Sequence, residues 1–307
     1  MTIKILNLII LLFMPFLMLG IIKKTKAFWG GRRGASILQP VYDFIKLFKK
    51  DFVISETTSF LFKISPVISI GCAFFASLFV PLANMSAIIN IPAGFVIFAY
   101  VFGFSKFFAL LAAMDTGSSF EGMGASREAC FTSIVEPAFF MLLASIMALS
   151  GNYTFDALKS IMHNSGIYGI LICIFSVAVL FVMILTECSR VPVDDPETHL
   201  ELTMIHEVMI LDNCGSDLVL YTWANAIKMF LLTSLIATII IPSSLNFVLQ
   251  IVLYLILMFL VAVIIGTVES SMARIRLSHV FEFIFIMSAL ALVVLSLVVA
   301  GVFGGVN

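Results

Sequence analysis

Residues 167–186 read IYGILICIFSVAVLFVMILT, and residues 187–217 continue ECSRVPVDDPETHLELTMIHEVMILDNCGSD. The first stretch carries no charge over a length that matches one bilayer crossing, about 20 apolar residues. The second holds Glu187, Asp194, Asp195, Glu197, Glu201, Glu207, Asp212 and Asp217, eight of the chain's 18 acidic residues, against a single base, Arg190. An uncharged apolar run that ends abruptly in a concentrated acidic loop points to a helical membrane protein that uses its carboxylates at one surface.

The rest of the chain repeats this alternation. Apolar residues make up 62% of its 307 residues and charged ones 11%, with a mean hydropathy of +1.17. Soluble domains average about 45–50% apolar and about 25% charged residues. The fold class expected is therefore an all-α integral membrane protein, a single membrane domain over 1–307. Eight helices are predicted at approximately 3–22, 64–83, 87–113, 129–150, 167–186, 223–241, 245–268 and 283–304. Continuous apolar runs, not ten-residue alternating segments, argue against a membrane barrel. The first run is full length, and Lys23, Lys24 and Lys26 follow it instead of a small-residue cleavage site, so it reads as a helix and not as a signal peptide.

Charge sets the orientation. Of 17 Lys and Arg residues, thirteen lie in odd-numbered loops or at their edges: Lys23, Lys24, Lys26, Arg32, Arg33, Lys46, Lys49, Lys50, Lys63, Arg127, Arg190, Arg274 and Arg276. The positive-inside rule then puts these loops in the cytoplasm and both termini outside, in a multi-pass protein of the cytoplasmic (inner) membrane. Asp156 is the only acid on the outer side, so water-soluble partners are expected at the cytoplasmic face. The lipid bilayer is the other partner, and no nucleic acid is expected. The five cysteines (72, 130, 173, 188 and 214) have no metal-ligand spacing and read as buried free thiols.

Several residues stand out against this apolar background. In loop one, Gly30, Gly31 and Gly34 surround Arg32 and Arg33. From Val41, the positions Val41, Phe44, Ile45, Phe48 and Phe52 share a helical face opposite Asp43, Lys46, Lys49 and Lys50, which predicts a short interfacial amphipathic helix. Lys106 and Lys228 fall inside spans, where a charge needs a partner or a hydrated cavity. Gly117, Gly122 and Gly124 predict a tight second loop, with Ser126 capping a helix that starts near Arg127. Glu136 lies about 13 Å into that helix at 1.5 Å per residue, and Pro137 deprives the Ser133 carbonyl of its amide partner. A carboxyl beside an unpaired carbonyl in an apolar helix suggests a hydrated proton acceptor.

In the acidic loop, Asp195-Pro196-Glu197 predicts a helix start. His199 and His206 are two turns apart, too far for one metal ion, and HEVMILD lacks the second histidine of a zinc HExxH helix; no metal site is expected. The loop reads either as a partner-binding acidic helix or as a chain of titratable groups, Glu187, Asp194, Glu197, His199, Glu201, His206 and Glu207, feeding Glu136. Arg274 and Arg276, between the last two helices, are placed to pair with loop acids.

The stretches GRRGASILQPVYDFIKLFKKD, GASREA with VEP, ECSRVPVDDPETHLELTMIHE with NCGSDL, and ESSMARIRL occur in this order in the four cytoplasmic loops. In these the chain resembles subunit 1 of respiratory complex I and its counterpart in group 4 membrane-bound nickel–iron hydrogenases and formate hydrogenlyase. That resemblance implies an eight-helix anchor on which a peripheral redox arm docks, coupling electron transfer to proton or sodium movement. It implies no cofactor bound by this chain, a nickel–iron centre and iron–sulfur clusters in partner subunits, and antiporter-like membrane partners. It carries over Arg33, Gln39, Asp43, Lys46, Arg127 and Arg190 as cavity or docking residues, and Glu136, Glu187, Asp194, Glu197 and Glu201 as an acidic path. The chain departs from the complex I pattern in its short first loop, in Ala35 where proline is usual, in His199 at an acidic position, and in Asp212-Asn-Cys-Gly for Glu-Tyr-Ser-Gly. These departures resemble the hydrogenase-type members, leaving a quinone-reducing subunit as the alternative. A stand-alone secondary transporter, the remaining class, predicts an internal repeat with broken helices, and no such repeat is found in the sequence.

Overall fold

The computed structural model describes residues 2–51, 53–151, 153–163, 167–195 and 204–303. Among them, ten α-helices form: α1 (Thr2–Trp29), α2 (Gln39–Phe48), α3 (Phe60–Ser77), α4 (Gly94–Asp115), α5 (Ser119–Ser150), α6 (Ile167–Glu187), α7 (His206–Met209), α8 (Gly215–Ile240), α9 (Phe247–Ser271) and α10 (Leu277–Phe303). There is no strand among these residues. Eight of the helices, all but α2 and α7, are long and apolar enough to cross a membrane. This matches the expected number and order of spans. Glu197, His199 and Glu201 lie outside the described residues.

Helix α8 is the centre of the bundle. It is 83% buried inside the chain, against 17–44% for the other spans, and it packs on α1, α2, α3, α6 and α9. Its sequence allows this because small and hydroxylated residues recur among the large ones. Thr233 and Thr238 donate to the carbonyls of Met229 and Ser234, one turn back, so their polar atoms are satisfied without water. Around this axis α3 packs on α4, α1 on α9, and α10 on α5 and α6. The outward faces of α9 and α10 keep large apolar side chains exposed, among them Val248, Ile256, Phe285 and Leu292, as lipid contact requires.

Several boundaries differ from the sequence expectation, each for a packing reason. The second loop is shorter than its glycines suggest, because α5 already starts at Ser119. Gly124 lies inside that helix, where an added Cβ would come within 2.2 Å of Val208 Cγ1; it admits α7, it does not break α5. Ser126 is accordingly not a cap, and its hydroxyl donates to the Met123 carbonyl. Helix α8 starts at Gly215, a left-handed residue whose added Cβ would approach the Asp51 carbonyl oxygen to 2.7 Å. Helix α3 stops at Ser77, and the connection to Gly94 contains the short 3-10 turn Leu82–Asn84, because Pro81 and Pro92 flank it. The cysteines are all free, yet only Cys188 is buried, and Cys130 is exposed on α5.

The four charged loops meet at one end of the bundle. Val53 N donates to Cys214 Sγ, Ser59 N donates to Asp115 Oδ2 (2.6 Å), and Ile275 N donates to the Pro192 carbonyl (3.0 Å). Arg190 Nη1 lies 3.2 Å from Glu269 Oε1, and Lys26 Nζ 3.3 Å from Glu269 Oε2. At the opposite end the sparse polar groups gather likewise: Asn90 donates to Asp156, and Ala93 N to the Tyr153 carbonyl.

Candidate functional site

Below the charged end, four spans converge on a cluster of two ammonium and two carboxylate groups. Lys106 on α4 lies 2.7 Å from Glu187 Oε1 and 3.0 Å from Glu128 Oε1, and it donates to Thr132 Oγ1 on α5 at 2.7 Å. Lys228 on α8 pairs with the other oxygen of Glu187. Glu187 ends α6 and so bridges two lysines from different helices. Glu128, Glu187 and Lys228 are all buried. Burying an isolated charge costs many kcal/mol, whereas two cations and two anions within contact compensate each other. The Lys228 ammonium also stands 5.5 Å from the Phe102 ring centroid, a second stabilising contact.

Two adjacent spaces lie at this cluster. A small cavity of about 50 Å3 touches Lys106, Glu187, Lys228, His206, Tyr221 and Asn225, room for a few water molecules. A larger one of about 440 Å3 lies under α2, between α1 and α8, and is also lined by His206, Tyr221 and Asn225. These three residues form the wall shared by the two. The larger cavity has an aromatic side, where the Trp223 ring packs against Phe16, Phe44 and Phe74 at centroid distances of 5.9, 5.1 and 5.2 Å. Its polar side carries Asp43, Lys46 and Glu207. Gln39 Nε2 donates to Asp43 Oδ1 at 2.9 Å along the same helix, and Asp43 lines the cavity from a helix face expected to be solvated. Tyr42, Ile45 and Phe48 on the same helix are exposed, so its apolar residues are divided between the cavity and the outside.

Helix α7 brings His206 and Glu207 to this wall, and Asp194 fixes it there. Asp194 Oδ2 accepts from the backbone N–H groups of Ile205 (3.2 Å) and His206 (3.0 Å). Its other oxygen pairs with Arg274 at 2.8 Å and accepts from Asp195 N. Arg127 holds the preceding residue by donating to the Met204 carbonyl at 2.9 Å. Burial pushes Glu207 up to about 7, helped by the Asp194 charge and opposed by Arg190. His206 is held below its ordinary value, first by burial, with the Glu128 carboxylate opposing. Burial likewise pushes the Cys188 thiol up to about 12, an inert group beside the cavity.

The sequence-nominated residues thus separate by place. Lys106, Lys228 and Glu187 form the cluster, His206 and Glu207 stand at its wall, and Asp194, Arg127, Arg190 and Arg274 are engaged inward as structural ties. Asp43 and Lys46 line the cavity, Gln39 reaches it only through its hydrogen bond to Asp43, and Arg32, Arg33 and Arg276 are exposed. Glu136 is half-buried and makes no hydrogen bond or ion pair among the described residues; its Oε1 lies against Gly103, 3.4 Å from where a Cβ would be. It stands two turns from Glu128 along α5. Glu128 and Glu269 carry the buried pairs that the sequence reading leaves unassigned. A signal for the first exists: Glu128, Thr132 and Glu136 recur every four residues and share one stripe of α5.

Comparison with known proteins places the chain. Residues 3–300 match the family described as NADH dehydrogenase, and the chain belongs to that family. It is 26% identical to hydrogenase-4 component C of Escherichia coli K12 over 92% of each chain. It is 23% identical to formate hydrogenlyase subunit 4 of the same organism, over 85% of this chain and 86% of that one. NADH-ubiquinone oxidoreductase chain 1 of Notamacropus eugenii is 28% identical over 77% of this chain and 74% of the relative. The fold is also that of a chain in the membrane-bound sulfane sulfur reductase, an archaeal respiratory membrane complex, with a TM-score of 0.81, 18% identity, and coverage of 97% and 100%.

The shared carboxylate makes a stability prediction. Glu187→Gln leaves buried Lys228 without an ion partner among the described residues and takes one of two from Lys106, and should destabilise the chain by about 3–5 kcal/mol. Adding Lys228→Met should recover part of that loss, a non-additivity to be read from thermal unfolding of the single and double variants in detergent. Glu207 predicts a pH effect. The folded chain keeps this proton to about pH 7 whereas an ordinary glutamate releases it near 4.5, so between those values the folded state binds more protons. The Glu207 contribution to stability therefore falls as pH rises through that window. Glu207→Gln should flatten this part of the pH profile, measured by unfolding midpoints across that range; an unchanged slope contradicts the assignment.

Proposed function

We propose that this chain is the membrane subunit of a complex I-like membrane-bound hydrogenase or formate hydrogenlyase, and that the Glu128–Lys106–Glu187–Lys228 cluster relays protons in it. The observation that carries this reading is the shared wall of His206, Tyr221 and Asn225, a single layer of titratable and polar side chains between a cavity at the charged end and the paired charges inside the membrane span. The nickel–iron centre and iron–sulfur clusters belong, in this reading, to partner subunits docked on that end. Similarity to hydrogenase-4 component C and formate hydrogenlyase subunit 4 supports it.

The physics of relay follows from alternating charges in a low-dielectric site. A proton delivered at His206, which shares the small cavity with Lys228 and Glu187, adds positive charge beside them. That weakens the hold of Glu187 on Lys106, whose ammonium can then share with Glu128 alone. In that pair a Lys106 N–H bond breaks as a Glu128 O–H bond forms, Glu128 passes this proton on, and the neutral Lys106 amine is recharged by the proton that entered at His206, so no isolated ion is left in the apolar bundle. Glu136, further along the α5 stripe and without a partner among the described residues, is the next acceptor. Asp194, Arg274 and Arg127 hold α7, and hence His206, at the wall; Glu197, His199 and Glu201 are candidates for the same path.

A second reading is favoured by one feature. The buried indole Nε1 of Trp223 has no hydrogen-bond partner among the described residues, and it lies in the aromatic wall of a cavity within the usual ligand-pocket range of about 300–1,000 Å3. A quinone ring could occupy that space, making the chain a quinone-reducing complex I-type subunit. Purifying the tagged chain in mild detergent and identifying its companions separates the two. The hydrogenase reading expects a large subunit that retains its four nickel-ligating cysteines, with bound nickel and hydrogen evolution. Quinone reduction without nickel supports the second reading, and a stable active monomer contradicts both.

The charge distribution supports an orientation with the four charged loops in the cytoplasm and both termini outside, in the inner membrane. A cysteine placed at Tyr153, which is exposed on the sparsely charged side, should react with an impermeant thiol reagent on intact cells. One placed at Arg276 should react only in inverted vesicles. The reverse pattern would overturn the orientation.

A further inference from the structure

Three cations at the start of loop one take no part in the site described above. Helix α1 continues to Trp29, and the chain then folds back over its end: Arg32 N donates to the Ala27 carbonyl at 2.8 Å, and Gly31 and Gly34 both adopt left-handed backbone (φ 64° and 62°). Lys24 Nζ donates to the Arg33 carbonyl at 2.7 Å, pinning the turn. An added Cβ at Gly34 would come within 2.4 Å of Ala27 Cβ, so the close return depends on glycine at that position. This fold-back leaves the Arg32 and Arg33 side chains exposed at the edge of a groove of about 720 Å3 between the end of α1 and Val263 and Thr267 of α9.

The groove has a marked chemical asymmetry. Lys24, Arg32 and Arg33 line it with no acidic residue, and none of the three pairs with a carboxylate among the described residues. Lys26, the neighbouring cation, is turned inward to Glu269 instead. Below the cations, Phe28 and Trp29 are 76% and 61% exposed, and the exposed face of α9 continues through Val263, Leu260, Phe259 and Ile256. Cations above, aromatic rings at the boundary, and an uninterrupted apolar helix face below reproduce the layers of one bilayer leaflet.

We propose that this groove binds an anionic phospholipid of the leaflet on the charged side, with its phosphate held by Lys24, Arg32 and Arg33 and its acyl chains lying along α9. Charge complementarity selects an anionic over a zwitterionic headgroup, and the apolar face selects a lipid over free phosphate. The groove also reaches the site indirectly. The same loop runs on to Ile37, whose carbonyl oxygen would lie 1.9 Å from a Cβ added at Gly20 of α1, and then into α2, which covers the large cavity. A lipid that orders this turn therefore steadies the cavity's cover.

The test uses the intact complex, delipidated in detergent and supplied with phosphatidylglycerol, phosphatidylcholine or inorganic phosphate. Bound lipid is counted by native mass spectrometry. Phosphatidylglycerol should be retained in preference to phosphatidylcholine and should raise the unfolding temperature, with inorganic phosphate failing to displace it. The double variant Arg32→Gln with Arg33→Gln should lower its retention by about thirtyfold, as the loss of two cations at an anionic surface predicts. Arg32→Lys with Arg33→Lys should keep most of it, and the control pair Lys49→Gln with Arg276→Gln should leave it unchanged. Equal retention of the two lipids, displacement by phosphate, undiminished retention in the glutamine variant, or loss of a companion subunit in place of lipid would each overturn the proposal.

Discussion

Glu187 is the constraint on which the rest of the structure depends. Its two oxygens are taken by ammonium groups from two different helices, in a bundle whose surroundings are almost wholly apolar. Both buried lysines are compensated by this carboxylate, Lys106 by Glu128 as well, and the carboxylate is compensated by both of them. Helices α4, α6 and α8 must therefore keep a fixed register relative to one another, and Glu128 ties α5 to the same point through Lys106. Packing specificity, which apolar side chains alone leave loose in a membrane, is supplied here by four charges.

The same geometry underlies the proposed relay. A cluster of equal positive and negative charge is neutral as a whole, yet the field at each member is set by charges carried on other helices. At the charged end, His206, Tyr221 and Asn225 stand between the cluster and the large cavity under α2. Asp194 decides where His206 stands, because it holds the amides of Ile205 and His206 and is itself held by Arg274. A change in the loop between α9 and α10 can thus reach the cluster through Arg274, Asp194 and His206 in turn.

Much of the fold is legible in the sequence, because a run of about 20 uncharged apolar residues has few other uses. The site is legible only in part. Lys106 and Lys228 announce themselves as charges within apolar runs, and Glu187 as the first acid after one. That the three meet is invisible, since 81 and 41 residues separate Glu187 from its partners. Glu128 is harder still. If residues 116–126 are taken as a loop, Glu128 falls at a helix start, where an acid has the ordinary task of meeting the helix dipole; with α5 beginning at Ser119 it lies well inside. Glu136 draws attention through Pro137, yet the partnered acid is two turns earlier. Glycine misleads for a related reason: Gly124 reads as a loop residue and serves as a contact surface for Val208.

If paired buried charges carry protons through this subunit, breaking the pairing without removing the subunit should uncouple the complex. The most direct measurement is the number of protons moved per electron pair in inverted membrane vesicles containing the assembled complex with Lys106→Met and Glu128→Gln, which together leave Glu187 paired with Lys228 and no stranded charge at Glu128. The account predicts assembly and electron transfer retained while proton movement falls steeply. An unchanged ratio of protons to electrons would contradict it and leave the cluster a purely structural clamp.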